Sequence, residues 1–375
     1  MIRTWPHFNT MVPAFTLAVL LSILCKGIQS LQDAPFKSSE RVYRDAMVCP
    51  RGISNKAGGI VFLVHGASTT GTNTWSGSPF NEPLANSGPG YDICWVNLPW
   101  KGLGDIQQTA EYVAFGIKYF SSLSHASGNK INVIGHSQGA GSSLQWALTF
   151  WPSIQPLVLN FFAIGGTFRG TIEAIPMCIL ENLWGGCMPS PLQLKPNSKY
   201  TKAQNSELDK HSGAYAQVKT ISIFSIYDQV LQWEGSEGKT SYLKGATMLS
   251  VQSGKLCGKG HVVGHLGIAE DLAVLKIIEA IIPSSNPISN ELDSFDKSSC
   301  RHLAGLWLHL ISRWQYVLKV GINFVIGPAR MHKLFHQYAH LRVVKEPGLQ
   351  SYVCERGYAT DCLPPNATFP DLRKL

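Results

Sequence analysis

The sequence predicts an α/β fold, a mostly parallel sheet with helices on both faces. Three observations predict it. Short apolar, β-branched runs suit strands buried on both sides. Amphipathic helical patterns lie between them, and a glycine-flanked serine stands where one such strand meets one such helix.

The strand candidates come in order. Residues 60–64 (IVFLV) form the first and end at His65-Gly66; residues 91–97 (YDICWVN) form the second, closed by Pro99. Residues 130–134 (KINVI) are the third and 221–227 (ISIFSIY) the fourth. None shows a polar face, as expected of parallel strands covered on both sides. Ala140, Leu144, Ala147, Leu148 and Trp151 recur at helical spacing until Pro152 stops the run. Residues 269–282 open with Glu270 and Asp271, favourable at a helix N-terminus, and end before Pro283.

Two stretches break the rhythm. Residues 177–214, rich in Pro, Gly, Lys and Ser, contain Cys178 and Cys187 and read as an insertion, either a cover over a site or disulfide-pinned decoration. Residues 284–299 are polar and link a catalytic domain, 31–283, to a C-terminal extension, 284–375. There Leu303, Trp307, Leu310, Ile311, Trp314, Val317 and Gly321 trace one helix face. His309, Arg313 and Lys319 interrupt any transmembrane reading, so the helix is expected to pack on the domain.

Hydrophobic residues make up 45% of the 375 and charged residues 15%, which excludes a disordered chain. The net charge is +8, but the basic residues are scattered, which argues for solubility and mild attraction to anionic interfaces rather than nucleic-acid binding. Residues 1–30 read as an export signal: Arg3, an apolar stretch over 12–24, then small Gly27 and Ser30. The alternative is a buried first helix or an anchor. Loss of Arg3 and Lys26, with no acid in 1–30, would leave +6.

Cys25 would depart with the signal, leaving eight cysteines: Cys49, Cys94, Cys178, Cys187, Cys257, Cys300, Cys354 and Cys362. An even number fits disulfides in an exported chain, although eight cysteines allow about 105 pairings. Asn366-Ala367-Thr368 is a glycosylation acceptor by pattern.

Residues 135–139, GHSQG, fit the G-x-S-x-G turn that lifts a serine hydroxyl above a sheet. A plain glycine-rich bend is the alternative, and the strand before and helix after favour the former. Such a serine needs a base, and the base a carboxylate, in the order Ser, acid, His. Asp228 follows the fourth strand, with Glu234 its nearest rival; His261 and His265 both precede a helix, and spacing does not separate them. Oxyanion donors are expected from the N–H of Gln138 and from the loop HGASTTG, in which His65 reads as structural. His332, His336 and His340 share a helix face without an acidic ligand, and no phosphate loop is present. No metal and no organic cofactor are expected.

The segments IVFLVHGASTTG, ICWVNLPW, INVIGHSQGAGSSLQWALTFWPSI, FSIYDQVLQ and CGKGHVVGHLGI resemble, in order and spacing, the Candida antarctica lipase B family. The resemblance covers residues 45–285 and, more loosely, the C-terminal part. It implies an α/β-hydrolase fold with Ser137 as nucleophile, Asp228 as orienting acid and His265 as base, chosen over His261 because VVGH occupies the motif's place. It implies oxyanion donors at Ala67 and Gln138, and disulfides Cys49–Cys94, Cys257–Cys300 and Cys354–Cys362, which leaves Cys178 and Cys187 as a local fourth.

The activity it implies is secreted, cofactor-free hydrolysis of hydrophobic carboxylic esters, such as acylglycerols, through an acyl-enzyme. A lipid–water interface is the expected setting, with no nucleic acid and no obligate protein partner. Acyl transfer to lipid alcohols and non-catalytic lipid binding are the other readings. Three departures from the family stand out. Ala67 replaces a threonine whose hydroxyl also serves the oxyanion, leaving Ser68 and Thr69 as neighbouring hydroxyls. His136 replaces a tryptophan before the nucleophile, and Thr167 replaces an acidic residue on the acyl side.

Overall fold

The structure, a computed structural model, describes residues 31–183, 185–231, 239–283, 288, 292–293, 295–300 and 338–369. The expected export signal, the helix over 303–321, Glu234, His332 and His336 lie outside the described residues.

Seven strands form one sheet: β1 Met47–Val48, β2 Ile60–Val64, β3 Asp92–Val96, β4 Ile131–His136, β5 Val158–Ile164, β6 Thr220–Phe224 and β7 Thr247–Ser250. Their spatial order is β1-β3-β2-β4-β5-β6-β7; only β1 runs antiparallel. The four expected strands are β2, β3, β4 and β6. The run at 221–227 leaves the sheet early, because Ser225 turns its hydroxyl to the carbonyl of Val263 at 2.6 Å.

The helices that position the site are α1 Ile106–Leu123, α2 Gln145–Phe150, α3 Ala174–Asn182 and α4 Leu272–Ile281. Asp105 caps α1 by accepting the N–H of Gln107, and Asp271 caps α4 by accepting those of Ala273 and Val274. Ala269 and Glu270, expected within the helix over 269–282, belong instead to a 3-10 turn, Gly267–Glu270, ahead of that cap. Between β4 and α2 the chain makes a π-helical turn, Gly139–Leu144, rather than entering an α-helix directly.

Strand alternation splits the core in two. Ile60, Phe62 and Val64 face α1 and the aromatic residues Trp146 and Phe150 of α2, whereas Val61 and Leu63 face Val274, Ile277 and Ile281 of α4. Every β2 side chain is buried, which is why the run carries no polar position. Residues 338–369 lie against the α1–α2 side: the Trp146 indole donates to Tyr352 Oη at 3.1 Å, and the Gln350 N–H donates to Gln107 Oε1. Within 177–214 the chain is helical over Pro189–Leu194 and Lys199–Gln204, and Gln193 bonds both Ile106 and Asp105 at the head of α1.

Disulfides join Cys49 to Cys94, Cys257 to Cys300 and Cys354 to Cys362, the three pairs that the resemblance implied, and Cys178 to Cys187, the pair it left over. Among the described residues, no helix is long and apolar enough to cross a membrane.

Candidate active site

β4 ends at His136, and the next residue, Ser137, sits at φ 55°, in the left-handed region. That conformation strains a side-chain-bearing residue, and the surroundings hold it there. The Ser137 N–H donates to Ile164 O at the end of β5, and its carbonyl accepts from Ala140 and Gly141. Neighbouring glycines supply the space. A Cβ at Gly139 would lie 2.2 Å from the His65 carbonyl oxygen, and one at Gly135 would lie 2.6 Å from Ala140 Cα. The serine is therefore a sharp strand-to-helix elbow and not an ordinary bend.

The half-buried Ser137 hydroxyl is 2.8 Å from His265 Nε2, and His265 Nδ1 is 2.7 Å from Asp228 Oδ2. Asp228 is buried just past β6, and its other oxygen accepts the N–H groups of Val230 and Leu231. Those bonds aim Oδ2 at the imidazole. A carboxylate accepts the Nδ1 proton, which leaves Nε2 as an acceptor for the serine hydroxyl.

His261, the other candidate, points away. Its Nε2 is 2.9 Å from Asp271, the α4 cap, and that pairing raises its pKa above the ordinary histidine value.

The loop after β2 comes close to the serine, since a Cβ at Gly66 would lie 2.9 Å from Ser137 Cβ. His65 fixes this loop from inside. Its Nε2 accepts the Leu98 N–H at 2.9 Å, so its Nδ1 carries the proton and donates to Gly66 O at 2.6 Å. Burial pushes its pKa down to about 4, so the tautomer persists at neutral pH. The Gln138 side chain donates to Gly102 O at 2.8 Å, anchoring the residue after Ser137.

Of the two hydroxyls near Ala67, that of Thr69 lies 3.2 Å from Thr74 Oγ1, inside the following turn; Ser68 is exposed at φ 66°. Thr167 is buried with its hydroxyl 2.9 Å from Ser142 Oγ. His136 directs Nε2 to the carbonyl of His265 at 2.9 Å.

Two glutamines escaped the sequence reading. Gln229 Oε1 accepts the His265 N–H at 3.1 Å. Gln252 is buried and clasps both loops: its amide donates to Ser225 Oγ and His261 O, and its oxygen accepts the Ile226 N–H. Nothing in their local sequence marks these roles, since the loops they hold belong to other segments. His340 packs its ring edge-on to Trp100 at 5.3 Å, and no cluster able to hold a metal occurs among the described residues.

No family model matches the chain. Lipase B of Pseudozyma (Candida) antarctica is 30% identical over 250 residues, 65% of this chain and 67% of that protein. The chain belongs to the lipase B family. Lipase B of Aspergillus fumigatus superposes with a TM-score of 0.64 at 22% identity, covering 94% of this chain and 77% of the other. That likeness shows a shared architecture. This lipase B family member is thus a lipase/esterase-type enzyme of α/β-hydrolase fold.

Proposed function

We propose that this lipase B family member is a secreted serine lipase or carboxylesterase that cleaves hydrophobic esters, such as acylglycerols, through an acyl-enzyme. The observation that carries the reading is the unbroken chain from Asp228 Oδ2 through His265 to Ser137 Oγ, at 2.7 and 2.8 Å. Ser137 attacks the ester carbonyl while His265 Nε2 takes its proton. Asp228 holds the imidazole in the accepting tautomer and stabilises the imidazolium. The N–H groups of Ala67 and Gln138 receive the oxyanion. His265 then returns its proton to the leaving alcohol, and water releases the acyl group by the same sequence in reverse order. Every proton moves between Ser137, His265 and substrate, so the steps balance without a cofactor.

An apolar substrate is supported by exposed side chains. Ile175, Ile179, Leu180 and Leu183 stand out from α3 and its end. The entry to α3 is tied to the acid loop by the Thr171 hydroxyl, which donates to Val230 O at 2.6 Å. Such a patch suits a lipid–water interface. Export of residues 31–375, with a catalytic unit over 31–283, an insertion at 177–214 and an extension from 284, accords with the four disulfides. Asn366 is exposed, as an acceptor for glycan must be.

The test is turnover of p-nitrophenyl esters from acetate to palmitate, with fluorophosphonate labelling. The intact enzyme hydrolyses them and is labelled at Ser137, whereas Ser137→Ala loses both. Undiminished turnover in Ser137→Ala ends this proposal.

A further inference from the structure

We propose that His136 is a positioning residue, whose Nε2–H, bonded to the carbonyl of His265, ties the base directly to the strand that carries the nucleophile. The inference rests on Ser137 and His265 acting as nucleophile and base. It concerns a residue that bonds the backbone of His265 and not the Ser137–His265–Asp228 chain itself.

Three observations converge. The His136 Nε2 lies 2.9 Å from His265 O, and a carbonyl only accepts, so the neutral ring carries its proton on Nε2. The two rings also pack together, with centroids 4.9 Å apart and planes tilted by 37°. Finally, His136 is the last residue of β4 and is covalently joined to Ser137.

The His265 peptide is consequently held at both ends: Gln229 accepts its N–H and His136 donates to its C=O. Residues 128 positions apart must meet at 2.8 Å for proton transfer, and the histidine bridge fixes that separation through one bond and one ring contact. Small misplacement of a base is costly in rate.

The bridge must also stay uncharged, because His265 becomes an imidazolium during each half-reaction and a second cation against its face would oppose that. Burial first, and then the neighbouring His265, push the His136 pKa down to about 3. The other charged or titratable groups acting on it are Asp228, which favours its protonated form, and His65, which opposes it. His136 thus remains a neutral Nε2–H donor wherever the enzyme would work.

The test combines two substitutions with a measurement on the unaltered protein. His136→Phe keeps a ring of similar size but cannot donate; His136→Gln keeps an amide N–H. With p-nitrophenyl butyrate, His136→Phe is expected to lower kcat about tenfold with KM within about twofold, and His136→Gln to recover most of the loss. Nitrogen NMR of the ring in the unaltered protein is expected to report the Nε2–H tautomer without titration between pH 5 and 8.

An unchanged kcat in His136→Phe overturns the proposal, as does a glutamine variant no better than phenylalanine. A ring that titrates near pH 6.5, or that carries its proton on Nδ1, overturns it without any variant having to fold. If Ser137→Ala stays active while the tautomer is as expected, the proposed chemistry fails but the bridge does not.

Discussion

At Ala67 a single methyl group stands where the family's threonine offers the oxyanion a hydroxyl as well as an N–H. Thr69 does not replace that hydroxyl, because its own oxygen lies beside Thr74 within the next turn. On the proposed function, the Ala67 position itself then offers the oxyanion only its backbone N–H. A pre-aimed donor counts for two to three orders of magnitude where it is fully engaged, and a newly installed one recovers only part of that. Ala67→Thr is therefore expected to raise kcat about tenfold on a short-chain ester, with KM nearly unchanged, since the hydroxyl acts on charge that develops after binding. Steady-state kinetics on the purified variant measures it. A fall in kcat, or a change confined to KM, would mean that the oxyanion forms elsewhere. The same reasoning applies to Asp228, whose carboxylate sets the tautomer of His265. Asp228→Asn keeps the shape but offers an N–H to Nδ1, so kcat is expected to drop by roughly three to four orders of magnitude.

The segment that delivers His265 has no regular structure of its own and is held by its neighbours. The Cys257–Cys300 disulfide fixes its start, Ser225 and Gln252 take the carbonyls of Val263 and His261, and His261 docks on the cap of α4. The His261 pKa is raised, chiefly by its hydrogen bond to Asp271, so the folded state holds this proton more tightly than the unfolded chain. The stability it contributes is complete below about pH 6.5, the unfolded histidine value, and is lost as pH rises through the higher folded value. His261→Gln should flatten the fall of Tm between pH 6 and 8 relative to the parent; parallel curves would show that the pair contributes nothing. How legible these elements were depended on the range of their interactions. β2, β3, β4 and β6 announced themselves because continuous apolar runs report local burial on both faces. β5 did not, although it lies mid-sheet; its Asn160 is accommodated by bonding Asn132 on β4 at 2.8 Å. β7 is short and half-buried, and β1 has two residues, so neither offers a period to read. In the site, Ser137 and Asp228 were legible from strand ends, Asp228 with Glu234 as a rival, whereas His265 was separated from His261 only by the family resemblance. The roles of His136, Gln229 and Gln252 rest on partners from nine to 129 residues away, which no local pattern encodes.

Across the whole molecule, the interior holds two pairs of ionisable groups that oppose each other in acid. His65 and His136 are buried and neutral, with pKa values pushed down by burial to about 4 and about 3. Unfolding lets both bind protons near their ordinary value of about 6.5, so they favour the unfolded chain as pH falls below that. Asp105, at the head of α1, and Glu111, one side of which accepts the Tyr43 hydroxyl at 2.5 Å, are raised by burial to about 6 and about 7. They are protonated in the fold and release protons on unfolding, so their effect runs the other way: stability lost as pH rises through those values. Around pH 5.5 the uptake by these two histidines and the release by these two acids work against each other. Glu111→Gln removes one release while keeping an oxygen for Tyr43. One proton fewer is then released, so relative to its parent the variant should lose roughly 1.4 kcal/mol for each unit of acidification between pH 5 and 6. Urea unfolding of parent and variant at pH 5.0, 5.5 and 6.0 measures this directly. A variant whose midpoint follows pH just as its parent's does would show that Glu111 is ionised inside the fold and does not oppose the histidines.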